Sequence, residues 1–246
     1  MNKAIQTINN HRSIRNFKDK EIDNSTIDEI VNAAQSMPNS INGQQTSIIV
    51  VTDKEKRKKI AEYAGGQPWI EKAPVFLLFV ADFYKTNIAS KKNDINQKIH
   101  ESVEGTLVGA VDVGLNMGAA IVAAESLDLG IVPIGGIRNE PQKMIDLFNL
   151  PKMTFPIAGL SIGYPKEIPK QKPRLPLSTF KHEETYDKDK INKNIDNYDN
   201  TMEKYYKSID REQSGNWSKH TSSIYQSVYF PKVHPIMKKQ GFKNNK

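Results

Sequence analysis

Residues 103–127 read VEGTLVGAVDVGLNMGAAIVAAESL, and the architecture turns on this stretch. Apolar residues surround the helix it would form on nearly every face, while Gly105, Gly109, Gly114 and Gly118 recur every four or five positions. A helix that is apolar all round is expected at the centre of a fold. Each interior glycine costs about 1 kcal/mol against alanine, so four of them imply a close backbone approach by another helix or a ligand, in dense packing or at a dimer seam.

Around this helix the pattern alternates. Ile27, Ile30, Val31 and Ala34 follow a Ser-Thr start at helical spacing, with Asp28 and Glu29 in the first turn and Pro38 soon after the end. The β-branched run 47–52 and the apolar runs 73–81 and 157–163 predict strands, with Pro74 tolerable at a strand's first residue, and 131–137 is a further apolar segment. Asp53 opens a lysine-rich helix that Gly65-Gly66 closes, and another helix is expected with Asn139 as its cap and Pro141 near its start. After Tyr164, Pro165, Pro169, Pro173 and Pro176 describe an extended arm. Beyond it Ile191, Ile195, Tyr198, Met202, Tyr205 and Ile209 form one narrow stripe of a helix, Ser218 begins a further helical segment, and Gly241 ends the last. The division expected is a core, 1–165, and a basic arm with helices, 166–246, that packs on it within the same domain.

Composition narrows the chemistry. The 246 residues include no cysteine, which excludes disulfide scaffolds, thiolate metal sites and thiol nucleophiles, so redox chemistry would need a borrowed cofactor. The apolar runs 74–81, 113–124 and 157–162 fall short of the roughly 20 residues that span a bilayer, and the first residues lack a secretory pattern. No membrane span is expected, and the expected address is the cytoplasm. The formal charge of +7 is uneven: residues 1–165 carry 18 basic and 18 acidic side chains, residues 166–246 carry 17 and 10. Such a tail suits an anionic partner.

Gly159-Leu160-Ser161-Ile162-Gly163 matches the nucleophile-elbow pattern, but a proline arm follows where a helix is required, so Ser161 is read as an inward strand residue. The five histidines show no i, i+4 pair, and no metal site is expected. Neither a dinucleotide glycine fingerprint nor a P-loop occurs. His11-Arg12-Ser13-Ile14-Arg15 gathers two guanidiniums, an imidazole and a hydroxyl within five residues, and in an extended segment His11, Ser13 and Arg15 project to one side. Forked arginine donors match phosphate oxygens. The uncharged row 38–45, which includes Asn39, offers amides suited to a heterocycle's edge; Pro133-Ile134-Gly135-Gly136 would let a flat ligand lie against backbone; and Lys172-Pro173-Arg174 adds two cations from a stiff arm.

Together, the HRSIR of residues 11–15, the Asn-Ser-Gln loop, Gly65-Gly66-Gln67, the IGGIR of 134–138 and the KPRLP of 172–176 resemble the FMN-dependent nitroreductase family, in particular its NADPH-linked, oxygen-insensitive nitroreductase and flavin reductase branch. The resemblance covers nearly the whole chain. It implies an α+β, nitroreductase-like fold, a central mixed and mostly antiparallel sheet wrapped by helices, in an intertwined homodimer with FMN at the interface. It places the FMN phosphate and ribityl chain against His11, Arg12, Ser13, Arg15, Lys172 and Arg174, gives Asn39 and Gln67 polar contacts to the flavin, and makes Pro133, Ile134, Gly135 and Gly136 a backbone wall. Ser40 and its neighbours would instead reach the cofactor of the opposite subunit. The implied activity is ping-pong hydride transfer from NADPH through flavin N5 to nitroaromatics, quinones or free flavins, with Lys172 beside the N1–C2 edge and no catalytic acid nominated. Arg211 is the one arginine offered between Tyr206 and Trp217 for a 2′-phosphate. Two rivals stand beside this reading: a nucleic-acid-binding module using the basic, aromatic-rich last third, and a flavin carrier or repressor without turnover.

Overall fold

β-Branched and aromatic runs build one antiparallel sheet whose order is β1 (Thr46–Val51), β2 (Val75–Asp82), β4 (Thr154–Gly163), β3 (Gly130–Ile134). The structure is a computed structural model and describes residues 2–245. Among these residues the parallel component is confined to a single bridge, Ser13 to Ile131. The helices are α1 (Lys3–Asn9), α2 (Asn24–Gln35), α3 (Lys54–Tyr63), α4 (Pro68–Lys72), α5 (Phe83–Lys91), α6 (Val103–Ser126), α7 (Pro141–Leu147), α8 (Asp189–Lys207), α9 (Trp217–Tyr225) and α10 (Val233–Gln240).

Strand periodicity sorts the core into two layers. Val75, Leu77 and Phe79 of β2 join Ile27, Ile30 and Ala34 of α2 and Val113, Ala120 and Ala124 of α6. Phe76, Leu78 and Val80 point the other way, into Ile60, Ala61 and Ala64 of the α3 segment and Ile70 of α4. Every residue of β2 is buried, as a central strand covered on both faces requires. Local chemistry fixes several ends: the Asp53 carboxylate accepts from Lys56 N at 2.7 Å, Gly65 and Gly66 turn the chain with φ of +87° and +76°, and Gly241 caps α10 at φ +104°.

Three sequence expectations change. The residue capping α7 is Glu140, not Asn139, which keeps helical φ and ψ and closes the preceding short turn Gly136–Arg138. α6 is central but not enclosed: Gly105 and Gly109 abut Ile99 and Ala81, whereas Gly114 and Gly118 face open space. By length and composition α6 could also cross a membrane, yet it carries buried Asp112 and Asn116 and packs on the sheet, as a core helix does. The α8 stripe buries Tyr206 where Tyr205 was expected and leaves Tyr205 half-exposed.

The contacts divide the chain into two compact units, Met1–Pro169 with Phe230–Lys246, and Lys170–Tyr229. In the first, Ile236, Met237 and Phe242 of the carboxy-terminal segment pack on Phe83, Ile145 and Phe155. The second has its own small core, in which Tyr198, Met202 and Tyr206 meet Leu175 and Trp217.

Candidate functional site

The HRSIR segment is held flat against the free edge of β3. Ile14 N donates to Ile131 O at 2.8 Å, and the Ile14 and Phe17 side chains are buried. Two glycines permit this approach, since a Cβ on Gly130 would lie 2.6 Å from Ile14 and one on Gly163 would lie 2.8 Å from Phe17. With Ile14 anchored inward, Arg15 is left exposed, its guanidinium 5.4 Å from the centroid of the Trp69 ring. The His11 imidazole donates from Nδ1 to Glu125 Oε1 at 2.7 Å, a partner 114 residues away on the last turn of α6. That bond fixes the ring and turns Nε2 away from the carboxylate.

Arg12 donates from Nη1 to Asn10 O at 2.5 Å, and its Nε is buried with no partner. It lines a cleft of about 510 Å³ that also includes Lys3, Thr7, Ile14, Glu125 and Gly130. A buried, unpartnered guanidinium N–H is costly unless a ligand or water completes it, and an oxyanion would do so at Arg12, in a cleft that Glu125, whose Oε2 is also buried without a partner, and Asp128 line on the acidic side. Beside Trp69, Gln67 donates from Nε2 to Ala64 O at 2.9 Å. Gly136 lies against this turn: a Cβ there would stand 2.2 Å from Gln67 Nε2 and 2.6 Å from Ala64 O. In the 133–136 stretch Pro133 is exposed on the edge strand, Ile134 is buried in the core, Gly135 is partly exposed, and Gly136 is buried against the Gln67 turn. The HRSIR segment supplies a phosphate-type donor set and Gly135 adds partly exposed backbone without a side chain, features that a phosphorylated ligand with a flat ring would use.

Asn39 is not assembled with the others. Its Oδ1 accepts from Gln44 N at 2.9 Å, and its neighbour Ser40 is tied to Asp112 of α6. Asp112 and Glu125 are thirteen positions apart, about 20 Å along a helix, and the loop feeds β1 at the sheet edge opposite β3. Within one chain Asn39 therefore serves a different place from His11.

Lys172 and Arg174 belong to the second unit. Tyrosines of α8 pin the arm that bears them: Tyr198 OH donates to Pro173 O at 2.8 Å and Tyr205 OH to Lys170 O at 3.3 Å, while Lys172 Nζ stands 6.0 Å from the Tyr206 ring centroid. Burial pushes the Tyr198 phenol above its ordinary pKa, and Arg174 partly opposes this. Ser161 lies within β4 between β2 and β3, fully buried and with its hydroxyl unpartnered, which denies it an elbow geometry. No group of three metal-ligating side chains occurs among the described residues. Sequence reasoning does not single out Trp69, Glu125 or Asp112; for the last two the available signal is that they are two of the three charges in an otherwise largely apolar helix.

Comparison with known proteins agrees along the whole chain. The profile described as Nitroreductase family matches residues 8–164, and that of Nitroreductase family, C-terminal domain, matches 172–245. The chain is 47% identical to the FMN reductase (NAD(P)H) of Bacillus subtilis, with 100% of each covered, and 35% identical to the NADPH-flavin oxidoreductase of Vibrio harveyi, with 98% of each covered. Among solved structures, B. megaterium NfrA2 superposes with a TM-score of 0.97 at 46% identity over 100% of both chains. The NADPH:FMN oxidoreductase from Vibrio harveyi complexed with NAD+ superposes with a TM-score of 0.89 at 34% identity, over 99% of this chain and 100% of that one.

Proposed function

The chain belongs to the nitroreductase family, and on that premise we propose that His11, Arg12, Ser13 and Arg15 grip the phosphate of FMN while Gln67 and the Gly135–Gly136 backbone lie along its ring system. The protein is an FMN-dependent oxidoreductase whose electron donor is NADPH, as the names and likeness of its full-length relatives support. The observation that carries the site assignment is the buried Arg12 Nε, a donor without a partner on a residue that lines a cleft. When bound, FMN supplies a two-electron carrier between NADPH and an electron-poor acceptor. The chain's own contribution is placement: Ile14 and Phe17 clamp the basic segment, Glu125 orients His11, Trp69 backs Arg15, and Gly136, lacking a side chain, lets the Gln67 turn pack close. Donor and acceptor would occupy one seat in turn, with nitroaromatics, quinones, free flavins or chromate as the acceptor classes.

Lys172 and Arg174 are assigned to the cofactor by family resemblance, and NADPH preference over NADH rests on the relatives, one of which is named for NAD(P)H and others for NADPH. The working address we propose is the cytoplasm. We also assign the active form to a homodimer. Val103, Leu107, Val111 and Leu115 make an exposed apolar stripe along α6. A second copy covers such a face economically and brings its own Asn39–Gln44 loop to the first copy's cofactor. The nucleic-acid reading loses support because Tyr198 and Tyr206 are core residues of their unit and the relatives are reductases.

Anaerobic titration of the purified yellow protein with NADPH is the direct test. One equivalent should bleach the flavin absorbance, and each competent acceptor should restore it; a yellow protein that NADPH leaves unbleached would support the carrier reading instead. A second expectation follows from the basic surplus of residues 166–246. Raising salt from about 50 to 500 mM should raise KM for NADPH several-fold while kcat changes little, because screening acts on the encounter of opposite charges. A KM for NADPH that is independent of salt would remove electrostatic steering from the account.

A further inference from the structure

We propose that Asp112 is a positioning residue for the flavin site, a buried carboxylate on the central helix that latches the strained loop between Asn39 and Gln45. This rests on the reading that the loop serves FMN in the dimer. Asp112 lies midway along α6 and is 3% exposed, between exposed Val111 and buried Val113. Gln45, equally buried, donates from Nε2 to Asp112 Oδ2 at 2.5 Å, and Ser40 N reaches both carboxylate oxygens at 3.4 Å. One carboxylate thus ties both ends of the loop.

The residues between these ties are in a conformation they would not choose. Ile41, Asn42 and Gln44 have φ of +51°, +57° and +49°. For β-branched Ile41 the left-handed region is sterically poor, and at 96% exposed it gains no burial in return. Such strain persists only where the surroundings over-determine it, and it collects at sites that use the geometry. The surroundings here are the Asp112 bonds, Gly43 N to Ser40 O at 2.8 Å, and Gln44 N to Asn39 Oδ1 at 2.9 Å. Gly43 is part of the device, since a Cβ there would stand 2.2 Å from Gln45 Oε1 and displace the amide that reaches Asp112. Burial also raises the Asp112 pKa, with the Ser40 amide opposing, so the charge is held at a thermodynamic disadvantage that an apolar residue would avoid.

The test compares wild type with Asp112→Ala, Asp112→Asn and Gly43→Ala in the full chain. Hydrogen exchange of amides 40–45 is measured on FMN-stripped protein, and FMN affinity by titration. Asp112→Ala should speed loop exchange about 10-fold or more, leave β2 and β4 amides protected, and weaken FMN about 5- to 10-fold, because the binding-competent loop is less populated. Asp112→Asn, which keeps an acceptor for Gln45, should recover most of both. Gly43→Ala, at an exposed loop that does not threaten folding, should reproduce the loosening from the other side. Unchanged loop exchange in Asp112→Ala and Gly43→Ala overturns the latch, and a loosened loop with wild-type FMN affinity overturns the positioning role. A wild-type chain that binds no FMN defeats the parent reading instead, which separates the two failures.

Discussion

Substituting alanine for both Arg12 and Arg15 is expected to yield a folded, colourless protein whose affinity for added FMN is lower by about 10²- to 10⁴-fold. The magnitude follows from two charge-assisted, forked contacts to one phosphate, each worth about 1.5–3 kcal/mol. The fold should survive, because the segment is anchored by Ile14, Phe17 and the Ile14–Ile131 backbone bond rather than by the arginines. Removing Arg12 also removes a buried N–H that has no partner in the free chain, so thermal stability without FMN should stay level or rise while stability with FMN falls. Arg→Lys replacements separate charge from geometry, since lysine keeps the former and loses the fork. The readouts are the flavin absorbance of purified protein and the shift in Tm on adding FMN. Full retention of FMN by the double variant would sink the phosphate assignment. Lys172→Ala and Arg174→Ala, measured alongside, decide the carry-over to those two residues by the same readout.

The second large effect concerns α6. Replacing Leu107 and Val111, 55% and 59% exposed, by glutamate should convert a dimer into a monomer in sedimentation velocity at micromolar concentration. Each side chain buried in a two-fold interface contributes twice, and because both are already nearly half covered, at about half of 1.5–3 kcal/mol per side chain the pair accounts for about 3 kcal/mol or more, roughly two decades in the dissociation constant. Acidic replacements add like-charge repulsion across the axis. Because the Asn39–Gln44 loop lies far from His11 in one chain, the monomer should also lose FMN while keeping its far-ultraviolet circular dichroism. A wild-type protein that sediments as a monomer, or a variant that remains dimeric, defeats this assignment.

Much of this architecture was legible because it is written locally. The β-branched and aromatic strands, the Asp53 cap and the glycine turn at 65–66 each depend on neighbours within a few residues. The cap of α7 was misread for a related reason: asparagine favours caps in general, but Pro141 occupies the first helical position and puts the capping role on Glu140. Composition could not show that α6 is half-open, since a face buried by a second copy has the same residues as a face buried within the chain. Nor could spacing reveal the ties that organise the site. His11 meets Glu125 across 114 positions and Gln45 meets Asp112 across 67, distances closed only by the sheet and by α6. The separation of Asn39 from His11 likewise depends on strand order, which no local pattern encodes.

Trp69 beneath Arg15 has a practical corollary. The chain contains two indoles, Trp69 and Trp217, so a version lacking the second would emit from a single fluorophore whose ring lies 5.4 Å from the guanidinium. Its emission would then serve as an optical gauge of whatever docks at that arginine, read without an external dye and before any turnover begins.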